Sequence, residues 1–162
     1  MGESLLLTIH RALSTHLINQ KNIGEVIMSY KVVKSWKTKA GIDACILLVK
    51  ETHHCGYVEL PEVLQHLNFT GYNGEGEMVT INVHGGVTWQ GTLDWSEGRE
   101  VIGFDCAHWG DLQKCPEKYK GTAIEQMSMY SEGVWRDEEY CTNECESMAQ
   151  QLLDLMSLPK PE

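Results

Sequence analysis

The sequence predicts a single α+β domain: a mainly antiparallel sheet of about four strands, packed by a long C-terminal helix and an N-terminal helix. Three observations predict it. The 162 residues suit one domain with one core. Short apolar and alternating runs bounded by turn residues follow one another through the middle of the chain. Helical periodicity marks the two ends.

The elements follow in order. Leu5, Leu6, Ile9, Leu13, Leu17 and Ile18 recur every three or four residues, which predicts an amphipathic helix over 4–20. We assign 1–24 as a helical extension, 25–158 as the core domain and 159–162 as a tail closed by prolines. Glu25 to Val33 mixes β-branched and polar residues; helix is the first reading and strand the second. Four lysines surround Trp36 between Lys31 and Lys39, either an anion-binding flap or an exposed connection anchored by the tryptophan. Ile42 to Lys50 and Cys55 to Pro61 read as two strands of a hairpin with a short turn between Glu51 and His54. Residues 65–77 read as a loop, Met78 to Val83 as a third strand by alternation, and Glu100 to Phe104 as a fourth. Asp111 to Gly133 is a long irregular connection. From Arg136 to Met156, Tyr140, Cys141, Cys145, Met148, Leu152, Leu155 and Met156 share one helical face, with Asp137, Glu138 and Glu139 where the helix dipole favours anions.

Composition narrows the function classes. Thirteen basic residues against 23 acidic ones give a net charge of −10, which argues against gripping a phosphate backbone directly. No window reaches the ~18 unbroken apolar residues of a membrane span. The start, Met1 to Arg11, lacks the basic opening and long apolar stretch of an export signal, so the expectation is the cytoplasm, with the six cysteines as thiols. None forms a C-x-x-C pair.

Chemistry concentrates in two segments, Asn82 to Trp89 and Val101 to Asp111. Each begins as a buried-type run and ends in polar residues, so the two ends are expected to bring His84, Asp105, His108 and Asp111 around one cleft. Gly85 and Gly86 permit positive φ and close backbone approach, which suits either an anion or nucleotide cradle or a plain turn. Two imidazoles and two carboxylates form a donor set for a divalent metal ion, with His84, Asp105, His108 and Asp111 as candidate ligands. The other reading is a hydrogen-bonded network in which Asp105 orients His84 or His108, with no metal. The candidate ligand-binding set is His84, Gly85, Gly86, Thr88, Trp89, Asp105 and His108. Trp89, Trp95 and Trp109 lie near the cleft in sequence and serve either as stacking surfaces or as core. His53, His54 and Cys55 alternate in direction on a strand, so a hairpin tip is preferred to an ion site. Cys106 reads as packed and inert rather than as a nucleophile.

At these residues the chain resembles a family of small uncharacterised proteins encoded by tailed bacteriophages and prophages. The likeness rests on Cys55 to Pro61, Val83 to Trp89 and Gly103 to Asp111, and extends to the helix Trp135 to Leu153. After Pro61 the family continues with a short His-Pro segment and a Tyr-Asp pair, where this chain has Glu62 to Leu67. The resemblance implies a phage accessory protein in the bacterial host cytoplasm, of a class that often blunts host defences.

The leading expectation is therefore a phage-encoded accessory, anti-defence protein that binds a host protein or a small nucleotide-like ligand, without direct nucleic-acid or membrane binding. The alternative is a metal-dependent hydrolase or phosphodiesterase using the His/Asp site. A weaker one is an acidic decoy for a DNA-binding host enzyme.

Overall fold

Residues 30–71 and 76–158 are described by the computed structural model. Five antiparallel strands, β1 (Tyr30–Lys37), β2 (Asp43–Val49), β3 (His53–Glu59), β4 (Trp89–Gly91) and β5 (Val101–Asp105), form one sheet in the order β1-β2-β3-β5-β4. A 19-residue helix, Glu138–Met156, packs on it. The fold is α+β in a single domain, with five strands where four were expected. The helix predicted over 4–20, the extension 1–24 and the tail 159–162 lie outside the described residues.

Both faces of the sheet are buried, and the alternation along each strand says how. Ala44, Ile46, Val58, Ile102 and Phe104 face the helix and meet Cys141, Cys145, Met148, Ala149 and Leu152, the last five fully buried. Cys45, Leu47, Val49, Cys55 and Val101 face the other way, where Trp95 covers them. Two strand glycines make room for aromatic rings: a Cβ on Gly56 would sit 2.5 Å from Phe104, and one on Gly103 would sit 2.2 Å from Tyr57. Tyr57 in turn meets Trp95 edge-on at 5.8 Å. Trp95 is thus core on the face away from the helix, and does not border the cleft.

Four expectations need correction. The stretch from Glu25 to Val33, read first as helix, is strand wherever it is described, from Tyr30 onward. A bulge at Val33 turns both Val33 and Lys34 toward the helix, so Lys34 Nζ donates to Thr142 at 3.1 Å. The lysines do not pool into a flap: Lys37 pairs with Asp43 at 2.9 Å, and Trp36 anchors the strand by donating its indole N–H to Glu146.

Met78 to Val83 is not a sheet strand. Its alternation is real, with Ile81 and Val83 buried and Thr80 and Asn82 exposed, but apart from one bridge to Asn68 at Met78 its partner is a side chain. The Gln151 amide accepts from the Asn82 N–H and donates to the Asn82 carbonyl, both at 2.8 Å, imitating a neighbouring strand from the helix. β4, too short to stand out in sequence, takes the edge instead. His53 and His54 are not the hairpin tip, because the turn is Lys50-Glu51, both at positive φ, and the histidines open β3.

The helix begins at Glu138, since Asp137 is its cap and accepts the Tyr140 N–H at 2.8 Å. The connection from Asp111 is irregular as expected, with short turns and one four-residue helical segment, Ser128–Ser131. It closes on itself where Asp111 and Val134 pair, with the Leu112 N–H donating to the Val134 carbonyl at 3.0 Å. Among the described residues no helix is long and apolar enough to cross a membrane.

Candidate functional site

The turn after Val83 carries the first side chain of the cluster, His84. Gly86 N–H closes it onto the Val83 carbonyl at 2.9 Å, and Gly85 and Gly86 take φ of +66° and +84°. The Gly-Gly pair is a turn, and Gly85 does more than bend. A Cβ there would lie 2.2 Å from the His108 ring, so the bare backbone is what lets that imidazole lie against it.

His84 projects from this turn into a fixed setting. Its backbone N–H donates to Glu144 at 2.6 Å, its Nδ1 meets the Tyr140 hydroxyl at 2.9 Å, and its Nε2 meets Asp111 Oδ2 at 2.8 Å. An ionised Asp111 only accepts, so Nε2 carries the proton and Nδ1 accepts from Tyr140.

Asp111 is the centre of the arrangement, with only 2% of its side chain exposed. Oδ2 takes the His84 ring and the His108 backbone N–H, and Oδ1 takes Arg136 Nε at 3.0 Å. Burial works against its charge, but the donors His84, Arg136 and the His108 amide outweigh it and hold the carboxyl below its usual range. The carboxylate that orients His84 is therefore Asp111 rather than Asp105.

His108 completes the group from the same loop. Its Nδ1 is buried without a hydrogen-bond partner, 3.6 Å from Asp111 Oδ2 and 3.8 Å from Asp105 Oδ1. One ligand atom each from His84, His108 and Asp111 lies within 4.8 Å of the others. Asp105 stands beside this triangle, accepting from the Thr88 hydroxyl at 3.0 Å and the Ala107 N–H. Trp89 starts β4 opposite Gly103, part exposed, and Trp109 is fully exposed.

The segments predicted to converge do so. Sequence reasoning missed Arg136, Tyr140 and Glu144, which form one stripe of polar groups spaced four residues apart at the start of the helix. That spacing was the available signal for Arg136 and Glu144. Cys106 is packed as expected, its Sγ 3.7 Å from that of Cys141, and this contact together with burial pushes its thiol far up. Tyr140 is also pushed up, chiefly by burial and by Glu144. Neither is an activated nucleophile.

No family model, curated protein or solved structure matches the chain.

Proposed function

We propose that this protein works by binding, as an accessory protein whose ligand or host partner seats on the cluster formed by His84, Gly85, His108 and Asp111. The observation that carries this reading is convergence without activation. Side chains from the Val83–Gly86 turn, the loop after β5 and the helix meet at one place, yet the nearby thiol and phenol are both raised and the buried carboxylate is fully engaged by donors. Such a site is built to hold a shape rather than to attack a bond. Beside it Trp109 presents a whole indole to solvent, the kind of side chain that anchors a partner. The resemblance to phage proteins supports the accessory role.

Nuclear magnetic resonance titration with cyclic nucleotides and with candidate host defence proteins tests the reading. Shifts centred on Gly85, His108 and Trp109, weakened in Trp109→Ala, are expected. Flat spectra at those residues with every candidate would count against it. A metal-dependent hydrolase is the second reading, favoured by the three close ligand atoms. Phosphodiester turnover that depends on added metal and disappears in His108→Ala would establish it.

A further inference from the structure

We infer that the cluster takes a divalent transition-metal ion of the zinc class, held by His84 Nε2, His108 Nδ1 and Asp111 Oδ2. This rests on the reading of the cluster as the binding site.

Four observations support it. The first is geometry: the ligand atoms come within 4.8 Å of each other, with Oδ2 at 2.8 Å from one imidazole nitrogen and 3.6 Å from the other. Ligands about 2 Å from a tetrahedral ion stand slightly over 3 Å apart, so small side-chain movements suffice.

The second is the His108 Nδ1 atom. It is closed off from solvent between two carboxylates and bonds to neither. A buried polar atom left unpaired costs about 1–3 kcal/mol, and an ion at the centre of the triangle gives it a partner.

The third is charge. The charged groups touching the three ligands are Asp105, Glu144 and Arg136; with Asp111 itself, three carboxylates face one guanidinium. The excess of two negative charges matches a divalent cation.

The fourth is the outer support. Tyr140 fixes His84 through Nδ1, and Arg136 holds the Asp111 oxygen that the ion does not need. Ligating histidines and carboxylates are held in this way. Two imidazoles with one carboxylate favour zinc, cobalt or nickel over calcium or magnesium, which prefer oxygen. Binding shifts the His84 proton from Nε2 to Nδ1, which then donates to the Tyr140 hydroxyl, and the ion takes the place between Nε2 and Asp111. Three protein ligands leave a fourth tetrahedral position for water or a ligand group.

The test uses the full chain, free of any tag and stripped with a chelator. It is titrated with zinc by calorimetry and with cobalt by visible absorption. One ion per chain and cobalt bands of tetrahedral strength are expected. Affinity should fall at least about tenfold in His108→Ala and in Asp111→Asn. His108→Ala should melt close to the parent, which separates lost binding from lost folding.

Affinity unchanged in His108→Ala would overturn the proposal. So would a thiolate charge-transfer band, which puts the ion on a cysteine. Flat metal titrations with ligand shifts still seen at Gly85 and His108 in ion-free protein overturn the ion and leave the binding site standing. Absence of both removes the two readings together.

Discussion

Gly85 and Gly86 are adjacent glycines with similar backbone conformations, and their neighbours set them apart. Alanine at either must adopt a left-handed conformation, at a cost of about 1–2 kcal/mol. At Gly86 nothing lies within 4 Å of the added methyl, whereas at Gly85 the methyl displaces the His108 imidazole. Gly86→Ala should therefore lose about that much stability and keep the site. Gly85→Ala should lose at least as much and also move the His108 resonances, as urea unfolding and imidazole NMR would show. His53 offers a second contrast. Burial holds its imidazole below the ordinary value near 6.5 in spite of the opposing Asp105 charge. The unfolded chain then takes up that proton first as pH falls, so the stability present above about 6.5 drains away as pH drops toward the folded value. The urea midpoint should fall between pH 7 and 5, and fall less in His53→Gln. His84, His108 and Asp111 were legible in the sequence because polar residues at apolar strand ends stand out. Tyr140 was not, since its spacing placed it on the apolar face of the helix, and periodicity says nothing about where a hydroxyl finds its partner.

At the level of elements, alternation reports which side chains are buried and leaves the pairing partner open. Ile81 and Val83 are buried as their alternation implies, yet the backbone between them is held at Asn82 by Gln151 rather than by a strand. The converse holds for β4, whose three residues carry too little pattern to register but complete the sheet edge against β5. The helix was the clearest element, because five fully buried residues recur at its spacing and Asp137 caps it. Gln151 thus does a strand's work through one side chain. Replacing it by alanine strands the Asn82 N–H and carbonyl, which are exposed enough for water to substitute in part. A loss of about 1–2 kcal/mol is expected. Amide exchange should quicken first at Asn82 and His84, with the core of β2 and β3 unaffected. Uniform exchange rates through residues 79–84 in the variant and the parent would refute the role given to Gln151.

Across the whole molecule, Asp111 adds polar ties between parts that also meet in the hydrophobic core. Its carboxylate takes hydrogen bonds from the Val83–Gly86 turn through His84, from its own loop through the His108 amide, and from the approach to the helix through Arg136. Its backbone N–H returns to the His108 carbonyl, and Val134 pairs alongside it. Apolar runs ending in polar residues made the site foreseeable as a place, while its bonding was not. One buried charge holding three segments makes acid the sensitive axis of the fold. The folded carboxyl lies below its usual range and the unfolded one near 3.9, so the contribution is complete above about pH 4 and disappears as pH falls through the folded value. Asn at this position keeps the shape and loses the charge, so Asp111→Asn should cost about 2–3 kcal/mol at pH 7. The gap between variant and parent should narrow as pH is lowered from 4 toward 2, because the parent then protonates the same group. Urea midpoints at pH 7, 4 and 3 measure this directly. A gap of constant size across that range would mean that the charge of Asp111 does not hold the three segments together.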